Sequence, residues 1–316
     1  MAQLIIGSER AEAFAKTARE LAPDRDIRLW PDVGDPGAIS AALAWGPPPG
    51  ELAKFANLRL IVSVGAGVDH LFKDPDLPSA PIVRYVDPDL TGRMTEYVVL
   101  HTLTHSRRML EFRDLQAARL WRFLPEPAAS DVRVGIMGLG VLGQDAAEVL
   151  ARIGYRVRGW SRSRKDIEGI ECFAGEDERS DFLAGTDILV CLLPLTNDTR
   201  GTLNRALFAG LSTDGNRHER MPGPGLINAG RGGLQVETDI LAALDDGTLY
   251  AASLDVFETE PLPKSSPLWA HPRVVVTPHN AAESKNESIV QYFLDRVKDL
   301  EAGRDLPNIV DRDRQY

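Results

Sequence analysis

Residues 134–143 of this 316-residue chain read Val-Gly-Ile-Met-Gly-Leu-Gly-Val-Leu-Gly, an apolar run that ends in the pattern Gly-x-Gly-x-x-Gly. An alanine-rich helical pattern follows over residues 144–153, and a second apolar run begins at Tyr155. In a strand, turn and helix, Gly138 would allow the sharp turn, Gly140 would let a pyrophosphate approach the backbone, and Gly143 would let the helix pack closely. The free N–H groups that begin the helix would attract phosphate. The stretch therefore predicts a dinucleotide site, and a glycine-rich turn without a ligand is the alternative.

The composition is typical of a folded, water-soluble protein. The chain is 43% hydrophobic and 26% charged, and 316 residues suffice for two domains. A net charge of −10 disfavours nucleic acid and anionic membranes as main partners. Neither a signal peptide nor a bilayer-spanning apolar run occurs, and the only cysteines, Cys172 and Cys191, form no Cys-x-x-Cys motif. We expect a cytoplasmic protein without a nucleic-acid or membrane partner.

Alternating strand and helix patterns predict an α/β protein with two doubly wound parallel-sheet domains. Residues 99–283 would form a Rossmann dinucleotide-binding domain, and residues 1–98 with 284–316 a smaller, flavodoxin-like substrate domain. Ala11–Leu21 and Ile289–Leu300 read as helices, and Ile39–Ala44 as a short segment of undecided type. The predicted strands of the two domains are Gln3–Ile6, Ile27–Trp30, Leu58–Val64 and Ile82–Val86, then Val132–Met137, Tyr155–Trp160, Ile188–Leu193, Gly225–Ala229, Tyr250–Val256 and Val274–Thr277.

Apolar residues spaced by threes and fours predict one long helix from Arg93 to Trp121. His101 and His105 lie one turn apart in it, a spacing that can hold a metal. No glutamate separates them and no third ligand is near in sequence, so we predict packing or solvation and no metal site.

The end of the second Rossmann strand reads Trp-Ser-Arg-Ser-Arg-Lys over residues 160–165. Folds that prefer NAD place an Asp or Glu there to bind the ribose hydroxyls, and none is present. Arginine binds phosphate oxygens with a planar fork, so the cluster favours the 2′-phosphate of NADPH over NADH. A solvated basic turn is the alternative.

Three polar residues follow three predicted strands of the second domain: Arg231, Glu260 and His279. Ligands of open α/β sheets bind at the carboxyl ends of the strands, so these side chains are expected to converge. Hydride transfer to a carbonyl carbon leaves negative charge on the carbonyl oxygen, and His279 could donate the proton that neutralises it. Glu260 could orient the imidazole, and Arg231 could hold the carboxylate of the substrate. Taken singly, each residue could instead be structural, as we expect of His70, His218 and His271.

In chain order, the stretches 134–143, 227–232, 254–263 and 277–279 resemble the successive signatures of the D-isomer-specific 2-hydroxyacid dehydrogenase family. The resemblance covers essentially the whole chain. The stretches 44–48, 64–69, 96–97, 160–165, 267–269 and 310–312 look most like the short glyoxylate/hydroxypyruvate reductases within that family.

The resemblance implies NADPH-dependent reduction of small 2-oxo acids, glyoxylate to glycolate and hydroxypyruvate to D-glycerate, by a homodimer joined through its dinucleotide-binding domains. Arg231 and His279 would be catalytic with Glu260 assisting. Substrate would be bound by Arg231, Trp45, Gly65, Ala66, Gly67 and Val68. The cofactor would contact Gly138, Gly140, Val141, Leu142, Gly143, Trp160, Ser161, Arg162, Ser163, Leu193, Pro194, Ala229 and Asp255, with Asp255 on the nicotinamide amide.

Two other functions of the same fold stay open. One is a non-catalytic, NAD(P)-sensing interaction module. The other is an NAD-dependent D-2-hydroxyacid dehydrogenase acting on a different substrate. The complete set of Arg231, Glu260 and His279 favours an enzyme, and the basic strand end favours NADPH.

The chain also departs from the family pattern. Residues 212–225 are longer than the usual short turn there, and we interpret them as a mobile polar loop. Asn280 follows His279 where an apolar residue is usual, and residues 281–288 differ from the reductases. These departures bear on the substrate pocket more than on the chemistry.

Overall fold

The computed structural model describes residues 2–212 and 221–316, which form two compact units. The first unit contains Met1–Leu90 and Ser284–Tyr316, and the second contains Thr91–Glu283. Most of the predicted polar loop, residues 213–220, lies outside the described residues. Within the described ranges, no helix is both long and apolar enough to cross a membrane.

The first unit is built on a five-stranded parallel sheet with the order β2-β1-β3-β4-β5. This is the flavodoxin-like order, as predicted. Helix α1 (Ala11–Leu21) packs against the C-terminal helix α8 (Asn286–Glu301). The strands are β1 (Ala2–Gly7), β2 (Ile27–Leu29), β3 (Ile39–Trp45), β4 (Leu60–Ser63) and β5 (Ile82–Val83).

The segment of undecided type, Ile39–Ala44, is the central strand of this sheet. Residues 39–44 are all buried, because helices and loops cover both faces of a central parallel strand. Its run of alanines and one serine gave too weak a β-propensity to identify the strand from sequence.

The second unit is built on a seven-stranded parallel sheet with the order β12-β11-β10-β9-β6-β7-β8. Taken from β6, this is the Rossmann order 3-2-1-4-5-6 extended by one strand, as predicted. The strands are β6 (Arg133–Met137), β7 (Arg156–Ser161), β8 (Glu171–Ala174), β9 (Ile188–Cys191), β10 (Gly225–Asn228), β11 (Ala251–Leu254) and β12 (Val274–Val276). Helices α4 (Val141–Ile153), α5 (Arg179–Ala184), α6 (Arg205–Ala209) and α7 (Glu237–Asp245) connect them.

One strand, β8, was missed by the sequence analysis. It is an edge strand that pairs only with β7, and none of its four residues is buried. An edge strand of this kind lacks the continuous apolar run by which a buried parallel strand is recognised.

The prediction of one helix from Arg93 to Trp121 is wrong. The structure has α2 (Pro88–Ser106) and α3 (Met109–Ala117), and Arg108 between them is left-handed with φ of 54°. The Arg108 guanidinium donates to Glu111, three residues further on, and to the carbonyl of Pro125, and these two contacts stabilise the break. Apolar spacing alone does not reveal a break of two residues, 107 and 108.

His101 and His105 both face the interior of the second unit. His105 is fully buried and its Nε2 lies 2.9 Å from Ser253 Oγ, while the His101 ring packs against Tyr97. Burial lowers the pKa of His101 to about 4 and that of His105 to about 3, which keeps both rings neutral near pH 7. Among the described residues, no group of three or more His, Cys, Asp or Glu side chains could hold a metal.

Candidate active site

The glycine turn after β6 has the shape that a pyrophosphate requires. Gly138 has φ of 107°, and a Cβ on Gly143 would stand 1.9 Å from the Gly138 carbonyl oxygen, so helix α4 can pack this closely only through glycine. Gly140 is the N-cap residue of α4, and apart from its own atoms and its two chain neighbours no atom of the described residues lies within 4 Å of the place where its Cβ would be. This open space, next to the N–H groups that begin the helix, fits a bound dinucleotide.

Other residues predicted to contact the cofactor lie after neighbouring strands of the same sheet. Leu193 and Pro194 follow β9, which pairs with β6, and Ala229 follows β10, which pairs with β9. The carboxyl ends of parallel strands share one edge of a sheet, so these residues flank the glycine turn.

One arginine of the basic cluster at the end of β7 is held by contacts within the protein. Arg164 donates to the carbonyl of Cys172 at 2.6 Å and pairs with Glu178. Arg162 and Ser163 are exposed, and Trp160 Nε1 donates to the Gly175 carbonyl at 2.8 Å. The indole is therefore held in place beside the strand end.

His279 and Glu260 form a directly hydrogen-bonded pair. The distance from His279 Nδ1 to Glu260 Oε2 is 2.7 Å, and the Phe257 N–H donates to Glu260 Oε1 at 2.9 Å. Burial alone would raise the pKa of Glu260, but the hydrogen bonds from His279 and Phe257 and the charges of His279 and Arg231 lower it. Glu260 is thus held as a carboxylate that orients the imidazole through their hydrogen bond.

The loop that carries His279 is organised by a buried carboxylate. Asp255 accepts hydrogen bonds from the Thr277 hydroxyl at 2.6 Å, from the Asn280 N–H at 3.0 Å and from the Ala281 N–H at 3.0 Å. The His279 N–H donates to the Asp255 carbonyl at 2.8 Å, and His279 itself is left-handed with φ of 53°. Asp255 therefore fixes the backbone that aims His279, a role additional to the predicted nicotinamide contact.

A hydroxyl from helix α2 completes this network. The Tyr97 and Thr277 hydroxyls lie 3.0 Å apart, and because the Thr277 proton is donated to Asp255, Tyr97 must be the donor to Thr277. Neither Tyr97 nor Thr277 was predicted from sequence to have this role. A hydroxyl in a helix and another after a strand give no sequence signal of their contact.

Arg231 lies in a turn that buried amides shape. Asn228 accepts from the Gly230 N–H and donates to Gln235 and to the Arg231 carbonyl. A Cβ on Gly232 would stand 1.7 Å from the Phe257 carbonyl oxygen, so only glycine lets this turn lie against the segment that leads to Glu260. Sequence analysis did not identify Asn228 or Gln235, which act through the turn.

In the first unit, the predicted substrate residues follow two paired strands. Trp45 is the last residue of β3, and residues 65–68 follow β4. Ala44 and Ser63 are partners in the register of these strands, so the two loops are adjacent. His70, which we expected to be structural, joins them, as described below.

A glycine turn in a Rossmann sheet, with a His–Glu pair and an arginine at other strand ends of that sheet, defines a dinucleotide-dependent oxidoreductase. The chain belongs to the D-isomer-specific 2-hydroxyacid dehydrogenase family. The family's NAD-binding domain profile, "D-isomer specific 2-hydroxyacid dehydrogenase, NAD binding domain", matches residues 99–281.

Relatives extend this similarity beyond the domain. Glyoxylate/hydroxypyruvate reductase A of Serratia proteamaculans is 39% identical over 307 residues, which is 95% of this chain and 95% of that protein. The protein of the same name from Klebsiella pneumoniae strain 342 is 41% identical over 300 residues, 93% of each chain.

Solved structures show the same similarity. The NADPH-dependent glyoxylate/hydroxypyruvate reductase of Sinorhizobium meliloti, in complex with NADP and sulfate, is 43% identical with a TM-score of 0.94 over 100% of both chains. A probable 2-hydroxyacid dehydrogenase of Rhizobium etli CFN 42, in complex with NADP, HEPES and L(+)-tartaric acid, is 42% identical with a TM-score of 0.93, covering 100% of this chain and 99% of that one.

Thr277→Val removes the hydroxyl that donates to Asp255 but keeps a β-branched side chain of similar volume. We expect kcat to fall about three- to tenfold, because the loop that aims His279 loses one of the three hydrogen bonds to the carboxylate. Steady-state kinetics measures this, with Thr277→Ser as the matched control because it restores the hydroxyl. A Thr277→Val enzyme with the kcat of the wild type would show that the loop does not depend on this bond.

Proposed function

We propose that this chain is an NADPH-dependent reductase of small 2-oxo acids, converting glyoxylate to glycolate and hydroxypyruvate to D-glycerate. The observation that carries the proposal is the 2.7 Å pair of His279 and Glu260 in the unit that also contains the glycine turn and Arg231. The relatives named glyoxylate/hydroxypyruvate reductase, which match almost the whole chain, support the substrate class.

His279 is the proposed proton donor. NADPH, when bound, supplies the hydride that the carbonyl carbon accepts. Negative charge then grows on the carbonyl oxygen and is neutralised by a proton from the imidazolium. Because Nδ1 is held by Glu260, we assign the transferred proton to Nε2. His279 is left neutral, and solvent returns its proton before the next cycle.

Arg231 is proposed to hold the substrate's carboxylate and carbonyl. Its guanidinium NH1 donates to the Gly230 carbonyl at 2.8 Å, which restricts the side chain, and a guanidinium has five N–H donors in all. Trp45 and the amides of residues 65–68 in the first unit are proposed as further substrate contacts.

The preference for NADPH is assigned to the end of β7. No carboxylate occurs between Trp160 and Lys165, and Arg162 is exposed directly after the last residue of the strand. The NADP complexes of the Sinorhizobium and Rhizobium relatives support the same cofactor. We assign the 2′-phosphate to Arg162 with Ser161 and Ser163.

We further propose a homodimer formed through the second unit. Leu120, Trp121 and Phe123 expose 58%, 105% and 86% of their surface within a few residues of one another. Such a concentration of exposed large apolar side chains favours a protein–protein contact.

A cytoplasmic location is proposed because the two cysteines are unpaired, and recovery of the protein outside the cytoplasmic fraction would contradict it.

The proposed reaction is tested by the initial rate of NADPH oxidation with glyoxylate, hydroxypyruvate and pyruvate in turn, and NADH as the control cofactor. We expect turnover of glyoxylate and hydroxypyruvate, and a fall in kcat of about 10²- to 10⁴-fold in His279→Asn, because an amide cannot act as the acid. NADPH binding by the variant should stay near that of the wild type. A wild-type protein that binds NADPH but reduces none of these acids would contradict the proposed function and favour the interaction module.

Arg162→Ala tests the choice of cofactor. We expect kcat/KM for NADPH to fall about tenfold or more with little change for NADH, because one charge-assisted contact to the phosphate is lost. Arg164→Ala is the matched control, since the Arg164 side chain already contacts Glu178 and the Cys172 carbonyl. An equal effect of both variants on the two cofactors would show that neither arginine selects NADPH.

Trp121→Asp tests the dimer contact. We expect the wild type to sediment at twice the mass of one chain and the variant as a monomer, because a charge would be placed in an apolar contact. Trp269→Asp is the control, because it changes another exposed tryptophan outside the cluster. A monomeric wild type at micromolar concentration would refute the proposal.

A further inference from the structure

The ring of His70 connects the two loops of the first unit that are proposed to bind substrate. The Gly46 N–H, just after β3, donates to His70 Nδ1 at 3.1 Å. The other ring nitrogen, Nε2, lies 3.2 Å from Ser63 Oγ at the end of β4. Ser63 Oγ in turn donates to the Gly67 carbonyl at 3.0 Å. We call this series, from the Gly46 N–H through His70 and Ser63 to the Gly67 carbonyl, the His70 bridge.

Only one protonation state of the imidazole satisfies the bridge. Nδ1 accepts from an amide and therefore has no proton, so the neutral ring must have its proton on Nε2 and donate it to Ser63 Oγ. Ser63 Oγ is then free to give its own proton to the Gly67 carbonyl. Every group in the series has a defined direction of donation, which makes the spacing of the two loops specific.

The bridge also supports a proposed substrate contact directly. The ring centroids of Trp45 and His70 lie 4.3 Å apart, so the imidazole packs against the indole. The indole also lies close to the loop after β4, because a Cβ added at Gly65 would stand 2.9 Å from the Trp45 ring. Trp45 is thus packed against both the imidazole and the backbone of the second loop.

We propose that His70 is a positioning residue that fixes Trp45 and the amides of residues 65–68 for recognition of the substrate's carboxylate end. This inference rests on the proposed function of those residues. Backbone amides bind a carboxylate well only when they are held in place before it arrives, because ordering a loop costs free energy on binding. Ser63, which is fully buried, is the second side chain of the His70 bridge.

The test separates substrate recognition from catalysis. His70→Phe keeps an aromatic ring against Trp45 but removes both ring hydrogen bonds. We expect KM for glyoxylate and hydroxypyruvate to rise about tenfold, with kcat changed less than about threefold and KM for NADPH unchanged. His70→Asn keeps an acceptor near the Nδ1 position and His70→Gln keeps a donor near the Nε2 position, so each should recover part of the loss.

Ser63→Ala supplies an independent variant. It should raise KM for the 2-oxo acid in the same way. When Ser63→Ala is combined with His70→Gln, KM should be no lower than in the combination with His70→Phe, because the glutamine donor no longer has the Ser63 hydroxyl as its acceptor. His271→Asn is the matched control, since the His271 Nδ1 also accepts a backbone N–H, from Arg273 at 3.1 Å, outside the proposed sites. A folded His70→Phe or Ser63→Ala enzyme with unchanged KM for the 2-oxo acid would overturn the proposal.

Two readouts distinguish failure of this inference from failure of the proposed function. In ¹⁵N-histidine-labelled wild-type protein, the ring correlations of His70 should show the Nε2–H form at pH 7.5, and a ring protonated on Nδ1 would overturn the bridge whatever the reaction. If the wild type turns over no 2-oxo acid, the Kd of oxalate replaces KM in the same variants. Equal oxalate affinity in wild type and His70→Phe, or none in either, would reject the role of His70.

Discussion

A carboxylate removed from water must be hydrogen-bonded almost completely, and the burial of Asp255 imposes this requirement on the loop after β12. Asp255 is 2% exposed and lies directly after β11, while its three partners lie on residues 277, 280 and 281. These three hydrogen bonds hold the loop in the conformation that the structure shows. That conformation includes the left-handed backbone of His279, which a histidine adopts at a cost when nothing compensates it. The pairing of His279 with Glu260 thus depends on the Asp255 carboxylate, which does not itself contact the imidazole.

In both units the proposed functional residues lie in loops that follow the carboxyl ends of parallel strands, although the residue types differ. Parallel strands end at a common edge, so residues far apart in sequence become neighbours just beyond it. In the second unit this edge collects the glycine turn, the Arg231 turn and the His279 loop; in the first it collects Trp45 and the loop after β4. The side chains that hold these loops are themselves polar and buried, as with Asn228 and Ser63. Rigid strands set the approximate positions, and the buried polar groups set the final ones.

Much of the fold was predictable because its signals are local. The Gly-x-Gly-x-x-Gly turn, the apolar strands and helix α4 follow from short-range pattern, and the parallel, doubly wound character of each sheet follows from the alternation of strand and helix. Strand β8 and the break at Arg108 were not predictable in this way. The first has no buried residue, and the second depends on contacts with Glu111 and Pro125. Among the site residues, strand-end position identified Arg231, Glu260 and His279 as candidates. The contact between the Tyr97 and Thr277 hydroxyls could not be predicted in this way, since the two residues lie 180 positions apart in the sequence.

The histidines show why the role of a residue type cannot be decided from its neighbours in sequence. His101 and His105 are kept neutral by burial, which lowers the pKa of each ring. His70 differs from both, since its Nδ1 accepts a hydrogen bond from the Gly46 N–H. His279 lies beside Glu260, a carboxylate whose own pKa is lowered by the contact. An imidazole can be donor, acceptor or both, and which it becomes is determined by the group that tertiary structure places 3 Å from each nitrogen. The sequence supplies the candidates, and the choice among acid, bridge and core residue is made only when the strands bring those groups together.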